Sequence, residues 1–198
     1  MSEDDLVGIV MAAGESSRFG SAKQMLPFGD TTLLGHVVRN ANQSTLDRVV
    51  VVLGREAPKV MSSFAHGSAV VVDNLAYGEG CASSLLAGLD EAGECAGVVL
   101  ILGDQPGVET TTIDRVIAEW QNARMWASAT QYRGNLGHPL LFSQAAFKDL
   151  RALHGDKAVW KLIEGHPDRV LRVDIDSELP PDIDTPEDYE AEIARVGG

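Results

Sequence analysis

Residues 48–54, RVVVVLG, are the feature that most constrains the fold of this chain. Four successive valines predict a strand that is buried on both faces, as in a parallel sheet, because they leave no polar face for solvent. Apolar runs at residues 7–11 and 96–102 also indicate buried strands, and residues 69–73 indicate a further strand. Segments of crossover length separate these runs. The pattern predicts successive β-α-β units, and therefore an α/β fold with a mostly parallel central sheet.

The rest of the chain continues this alternation without a linker or an internal repeat. We expect helices at residues 31–42, 57–64, 85–92, 110–122, 143–153, 158–164 and 186–196, and further strands at 126–132, 140–142 and 169–173. Asp30 or Thr31 is the expected cap of the first helix. Residues 133–139 contain two glycines and a proline, which predicts a turn. A length of 198 residues with 44% hydrophobic content predicts one domain spanning residues 1–198.

Charge and cysteine content exclude several classes of protein. A net charge of -13 argues against a nucleic-acid-binding or anionic-membrane-binding surface. Two cysteines, Cys81 and Cys95, are too few for a disulfide scaffold and favour a reducing compartment. The acidic N-terminus does not resemble a signal peptide, and no apolar run approaches the length of a membrane span. We therefore expect a cytoplasmic protein that acts on a small molecule.

The loop after the first strand is the first candidate binding site. It is rich in small and hydroxyl-bearing residues, carries one cation, Arg18, and is followed by a second, Lys23, five residues on. Small residues allow close approach to the backbone, and amide groups and cations together bind an anion such as a phosphate. The alternative is a solvent-exposed turn, and the glycine spacing matches neither a Walker loop nor the dinucleotide-binding fingerprint. The candidate phosphate-binding residues are Ala12, Ala13, Gly14, Ser16, Ser17, Arg18 and Lys23.

Two later loops carry further candidates. Gly80, Ser83 and Ser84 lie before the helix expected at residues 85–92, where hydroxyls and amide groups suit an anion or a ribose, although ordinary helix capping is the alternative. Asp104 follows the strand at residues 96–102, at the strand end where open α/β sheets bind ligands. It is too far from the helix expected at residue 110 to cap it, so we interpret it as a metal or ligand contact.

The C-terminal half adds two candidates from the residues themselves. Asp184 lies in a loop before Pro186 as a second acidic residue, although a helix-start role is a strong alternative. Arg133, in the predicted turn, is a candidate contact for a substrate phosphate, or else a solvated charge. A phosphate loop, two cations and two acidic residues without a nucleophile triad are the components of metal-assisted phosphoryl or nucleotidyl transfer.

Four motifs, in order, resemble those of the molybdenum-cofactor nucleotidyltransferases. They are residues 11–27 (MAAGESSRFGSAKQMLP), 74–89 (NLAYGEGCASSLLAGL), 103–106 (GDQP) and 182–188 (DIDTPED), so the resemblance extends over most of the chain. The Ala-Ala-Gly sequence at residues 12–14 is similar to the cytidylyltransferase branch, whereas guanylyltransferases usually carry Ala-Gly-Gly.

The resemblance implies a Rossmann-like three-layer αβα nucleotidyltransferase fold and a specific reaction. CMP would pass from CTP to the terminal phosphate of a molybdenum-pterin cofactor, with release of pyrophosphate. It implies Mg²⁺ bound by Asp104 and Asp184, with Arg18, Lys23 and Asp104 acting in catalysis. It also implies that His138 lies in a turn facing the acceptor and contacts the substrate, with a structural hydrogen bond in the turn as the alternative. The implied partners are CTP, a molybdopterin-type cofactor and a recipient molybdoenzyme. The alternatives are the same fold acting on GTP or on another phosphorylated acceptor, such as a sugar phosphate or a phospholactate-type acid, and a non-catalytic cofactor-binding chaperone.

Overall fold

The computed structural model describes residues 4–14, 19–20, 22–155 and 158–196. Within these residues, the chain forms nine strands. In chain order they are β1 (Leu6–Ala12), β2 (Pro27–Phe28), β3 (Thr31–Thr32), β4 (Arg48–Leu53), β5 (Val70–Asp73), β6 (Gly97–Leu102), β7 (Ala127–Tyr132), β8 (Asn135–Ser143) and β9 (Val170–Ile175). β2 and β3 pair with each other, and the other seven form one sheet in the order β5-β4-β1-β6-β8-β7-β9.

The seven-stranded sheet is parallel except at β8. β1 lies between β4 and β6, with Ile9 opposite Val50 on one side and Leu100 on the other. β8 runs antiparallel to both of its neighbours, β6 and β7, while β9 pairs parallel with β7. The carboxyl ends of the six parallel strands therefore meet at one edge of the sheet, where ligands bind in open α/β folds.

Helices cover both faces of this sheet. In the described residues they are α1 (Leu33–Asn42), α2 (Ala57–Met61), α3 (Cys81–Ala92), α4 (Thr110–Ala123), α5 (Phe147–Arg151), α6 (Ala158–Gly165) and α7 (Pro186–Val196). Apolar side chains of α1, α2 and α4 form one core with the sheet, and those of α3, α5 and α6 form a second core on the other face. The predicted α/β fold, with three layers and a mostly parallel sheet, is confirmed.

Several predicted boundaries were wrong. α3 begins at Cys81 and not at residue 85, and Thr32 caps α1, its hydroxyl accepting a hydrogen bond of 3.1 Å from the amide of Gly35. Residues 143–153 form a short 3₁₀ turn followed by α5 instead of one helix. None of the helices in the described ranges combines the length and apolarity needed to cross a membrane.

The largest difference concerns residues 133–139, which were predicted to be a turn. The turn consists of Arg133 and Gly134 alone, with φ angles of 44° and 93°. A two-residue hairpin loop with positive φ at both positions matches the twist of the flanking strands, so β8 can begin at once. His138 and Pro139 therefore lie inside β8, next to a register shift in β7 between Ala129 and Thr130.

Residues 176–185, which we name the return segment, lead from β9 to α7 and cross back over the carboxyl edge of the sheet. Ile183 is fully buried and packs with Phe28 and Leu33. Its amide donates a hydrogen bond of 3.0 Å to the carbonyl oxygen of Asp104. The return segment therefore lies against the end of β6, far from it in sequence.

Candidate active site

The loops that follow β1 and β6 lie side by side at the carboxyl edge. The amide of Gly103 donates a hydrogen bond of 2.9 Å to the carbonyl oxygen of Met11. A Cβ atom at residue 103 would lie 2.7 Å from the Cβ of Ala12 and 3.1 Å from the Met11 oxygen. Glycine at this position therefore allows the contact, which sets Asp104 beside the candidate phosphate loop.

Among the described residues, three oxygen atoms converge on the ammonium group of Lys23. Its Nζ donates hydrogen bonds of 2.8 Å to Oδ2 of Asp104, 2.8 Å to the carbonyl oxygen of Ile183 and 3.0 Å to Oδ1 of Asp184. We name these four groups the lysine–carboxylate cluster. The two aspartates are eighty positions apart in the chain, and the return segment brings them to one cation.

The lysine–carboxylate cluster is partly shielded from solvent. The side chain of Lys23 is 10% exposed to solvent, whereas the side chains of Asp104 and Asp184 are 27% and 49% exposed. Burial lowers the pKa of Lys23, but the two carboxylates outweigh it and raise that pKa above its ordinary value. Burial and the neighbouring Asp104 raise the pKa of Asp182, which also accepts a hydrogen bond of 2.8 Å from Gln105 Nε2. This corner of the molecule therefore carries more negative than positive charge.

Gln24 fixes the backbone of the first loop. Its side-chain nitrogen donates hydrogen bonds of 2.8 Å to the carbonyl oxygen of Ala12 and 3.2 Å to that of Gly14. Gln24 is buried, as are Ala12 and Ala13. Sequence reasoning did not assign this positioning role, and its only signal was the place of Gln24 beside Lys23 in the motif. Ser16, Ser17 and Arg18 lie outside the described residues.

The second predicted loop is held by Asn74. The Asn74 Nδ2 donates hydrogen bonds of 2.9 Å to the hydroxyl of Ser83 and 3.1 Å to that of Ser84. The N-cap of α3 is Gly80, with φ 95°, and it makes no side-chain cap. Ser83 and Ser84 therefore lie in the first turn of α3 and neither is its N-cap, while the hydroxyl of Ser83 donates a hydrogen bond of 2.9 Å to the carbonyl oxygen of Gly80. Asn74, buried after β5, opens the second motif in the sequence but was not predicted to be a site residue.

Gly54 brings the two loops together. A Cβ atom at residue 54 would lie 2.7 Å from the carbonyl oxygen of Ala13 and 2.8 Å from the Cβ of Tyr77. The absence of a side chain lets the loop after β1 approach the loop before α3 across the end of β4. The candidate nucleotide-binding residues of both loops, apart from those outside the described ranges, thus line one part of the carboxyl edge.

The two candidate acceptor contacts lie elsewhere along this edge. His138 is 7% exposed, and its ring packs edge-on against Trp160 at 5.2 Å between centroids. Burial lowers the pKa of His138 to about 4, so the ring is neutral at pH 7. Arg133 is exposed and donates hydrogen bonds to Asp176 at 3.1 Å and Glu178 at 2.7 Å. Neither residue takes part in the lysine–carboxylate cluster.

Among the cavities lined by described residues, a small one and a larger one open at the carboxyl edge. The smaller, about 30 Å³, lies at the cluster and is lined by Met11, Ala12, Gly14, Lys23, Gln24, Gly103 and Asp104. The larger, about 570 Å³, lies beyond the ends of β7 and β9, where Arg133 is one of its lining residues, and shares no lining residue with the smaller one. No group of three or more histidine, cysteine, aspartate or glutamate side chains within the described ranges is arranged to hold a metal ion.

The relatives that match most of this chain in sequence include three proteins of 28–30% identity. The purine catabolism protein PucB of Bacillus subtilis is 28% identical over 93% of this chain and 94% of its own length. The molybdenum cofactor cytidylyltransferase of Escherichia coli is 30% identical over 91% and 92%. A probable molybdenum cofactor guanylyltransferase of Pyrococcus horikoshii is 30% identical over 77% and 74%.

Crystal structures of Rv0371c from Mycobacterium tuberculosis share both fold and sequence with this chain. One is 36% identical, with a TM-score of 0.89, and covers 98% of this chain and 100% of its own. A complex of Rv0371c with manganese is 33% identical, with a TM-score of 0.81, over the same shares of the two chains. The MobA-like NTP transferase domain matches residues 8–170. The chain therefore belongs to the family of MobA-like NTP transferase domains, and it is a nucleotidyltransferase.

Proposed function

We propose that this enzyme transfers CMP from CTP to the terminal phosphate of a molybdenum-pterin cofactor and releases pyrophosphate. Asp104 and Asp184 would hold a divalent cation, Mg²⁺ in our proposal. The loops at Ala12–Gly14 and Gly80–Ser84 would bind the nucleotide. The cytoplasmic location and a recipient molybdoenzyme, both expected from the sequence, belong to the same proposal.

The observation that carries this proposal is the convergence of three oxygen atoms on one cation beside the first loop. Asp104, Asp184 and the carbonyl of Ile183 present hard oxygen donors to a single position. Mg²⁺ prefers oxygen ligands and is usually held by one or two carboxylates together with substrate phosphates. The donor set therefore fits such an ion, and the manganese complex of the mycobacterial relative supports a divalent cation in this family.

A bound divalent cation would neutralise the triphosphate and polarise its α-phosphorus for in-line attack. The protein supplies position and charge. Asp104 and Asp184 would orient the cation, and Arg18 and Lys23 would bind the β- and γ-phosphates and stabilise the leaving pyrophosphate. Ser83 and Ser84, held by Asn74, would face the sugar and phosphates.

The choice of CTP rests on the first loop. Ala13 stands where guanine-using members of the family usually carry glycine, and Gln24 fixes the backbone on either side of it. We assign reading of the base edge to backbone groups near Ala12 and Ala13. The cytidylyltransferase relative from E. coli supports this choice, and the guanylyltransferase relative from P. horikoshii supports GTP as the alternative.

The acceptor requires no general base, because a terminal phosphate is already ionised near neutral pH. The neutral ring of His138 and the exposed Arg133 remain our proposed acceptor contacts. His138 lies inside β8 near its start, and Arg133 directly follows β7. Both positions are near the carboxyl edge of the sheet and away from the first loop.

A pyrophosphate-release assay tests the proposal. Each of the four NTPs is combined with molybdopterin and, separately, with a panel of phosphorylated acceptors that includes sugar phosphates. We expect release with CTP and molybdopterin. Asp184→Asn should lower that rate about a hundredfold or more, a typical loss for an electrostatic contact in the transition state. Asp168→Asn, which removes the same charge from an exposed position, is the control and should leave the rate unchanged.

Each other outcome identifies a different error. A clear preference for GTP would contradict our assignment of the base. Release with a different phosphorylated acceptor would support a nucleotidyltransferase of other specificity. Nucleotide binding without release under any condition would support the cofactor-binding chaperone, although a pure binding protein has no need of two convergent carboxylates.

A further inference from the structure

The ammonium group of Lys23 is the cation that neutralises the two carboxylates of the lysine–carboxylate cluster. An ammonium group donates hydrogen bonds and accepts none, and within the described residues that of Lys23 donates to Asp104, Asp184 and the carbonyl of Ile183. Two neighbouring carboxylates repel each other unless a positive charge lies between them. Lys23 therefore stabilises the approach of the return segment to the end of β6.

This position cannot hold Lys23 and a divalent cation at once. Mg²⁺ binds carboxylate oxygens at about 2.1 Å, whereas the ammonium nitrogen lies 2.8 Å and 3.0 Å from the same oxygens of Asp104 and Asp184. Two cations sharing these oxygens would repel each other strongly at low dielectric. The ammonium must therefore move when a metal ion arrives.

The ammonium group could move into the small cavity described above. Its lining includes Lys23, Asp104 and the first-loop residues Ala12 and Gly14. The ammonium group thus already borders the space in front of the proposed phosphate loop. A triphosphate there would offer Lys23 new anionic partners in place of the carboxylates.

We propose that Lys23 is the resident counter-ion of Asp104 and Asp184, and that it is exchanged for a divalent cation only when a polyphosphate arrives with the metal. The inference rests on the proposed metal role of the two aspartates. A metal ion alone must displace the ammonium without offering it new partners, so it binds weakly. The metal–triphosphate complex supplies both the ion for the carboxylates and the anion for Lys23, so the two ligands bind as one unit.

Titration calorimetry without turnover tests this exchange. The probes are Mn²⁺ alone, inorganic tripolyphosphate alone and their preformed complex. For the wild-type protein we expect the complex to bind at least about tenfold more tightly than Mn²⁺ alone, since displacing charge-assisted hydrogen bonds costs at least that factor. Equal affinity for Mn²⁺ alone and for the complex would overturn the inference.

Lys23→Met removes the charge while keeping an unbranched side chain. We expect Mn²⁺ alone to bind this variant at least about tenfold more tightly than it binds the wild type, and the complex to bind more weakly. Lys59→Met, which removes an exposed lysine paired with Glu56 at 3.6 Å, is the matched control and should change neither affinity. These opposite changes distinguish an exchanged counter-ion from a merely structural lysine. Loss of a structural lysine would change the affinities for Mn²⁺ alone and for the complex in the same direction.

The outcomes separate this inference from the proposed function. Equal Mn²⁺ affinity in wild type and Lys23→Met would refute the counter-ion role and leave the metal assignment intact. Absence of Mn²⁺ binding by both proteins, with and without tripolyphosphate, would refute both. CTP and the acceptor take no part, so an error in either does not affect the result. If Lys23→Met fails to fold, as judged by circular dichroism, the wild-type comparison decides alone.

Discussion

His138 should make the stability of this protein depend on pH. Its ring is buried in β8 against Trp160, and burial lowers its pKa to about 4. In the unfolded chain the same group has its ordinary pKa of about 6.5. Between these values the unfolded chain binds a proton that the folded chain does not. The free energy of unfolding should therefore fall as the pH drops from about 6.5 to about 4, and His138 should have no effect above that window.

The size of the effect follows from the two pKa values. Each unit of difference corresponds to about 1.4 kcal/mol, so a shift from 6.5 to about 4 amounts to about 3 kcal/mol across the whole window. About 2 kcal/mol of this should already be lost at pH 5, where the unfolded histidine is almost fully protonated and the folded one is not.

Urea unfolding of wild type and His138→Phe between pH 4.5 and pH 7.5 measures this contribution. Phenylalanine preserves an aromatic ring against Trp160 but does not titrate. Carboxylates titrate in both proteins, so the difference between the two pH profiles isolates His138. His154→Gln, at an exposed position, is the control and should reproduce the wild-type profile. Parallel profiles for wild type and His138→Phe would refute the reasoning.

Three further predictions concern the first loop, the packing of α3 and the start of α1. Arg18→Ala should lower pyrophosphate release about a hundredfold or more, because developing phosphate charge loses a cation, and unchanged turnover would show that Arg18 acts elsewhere. In urea unfolding, Gly88→Ala should lower the free energy of unfolding by about 1 kcal/mol. The new methyl lies 2.5 Å from Cγ2 of Ile9, and overpacking of this kind destabilises a core by about 1–3 kcal/mol. The higher helix propensity of alanine stabilises the variant by only about 1 kcal/mol. Gly165→Ala is its control, since a methyl there meets nothing within 4 Å, and equal destabilisation of both variants would contradict the packing argument. Thr32→Ala should cost about 1 kcal/mol through loss of the α1 cap, measured in the same way, and Thr32→Ser should restore most of it.

Local sequence patterns predicted much of this fold. The valine run of β4 and the apolar runs of β1 and β6 indicated buried parallel strands, and the structure contains all three. The run at residues 69–73 indicated a further strand, which is β5, a partly exposed strand at the edge of the sheet. The same patterns indicated that Asp104 follows the carboxyl end of a strand. Such inferences succeed because burial on both faces of a sheet constrains each residue of the strand separately. Neighbours along the chain therefore carry the signal.

The tertiary structure decided what joins distant parts of the chain. The insertion of β8 between β6 and β7 depends on strand pairing that local composition does not encode. The glycines and Pro139 concealed the first half of this strand, of which only residues 140–142 were predicted. The lysine–carboxylate cluster depends on the burial of Ile183, which holds the return segment against β6 and so brings Asp184 to Asp104. Residue types and order predicted which groups could perform the chemistry. The contacts of Asp104, Asp184 and Ile183 with Lys23 result from packing between segments that are far apart in sequence. No local periodicity or residue spacing predicts such contacts.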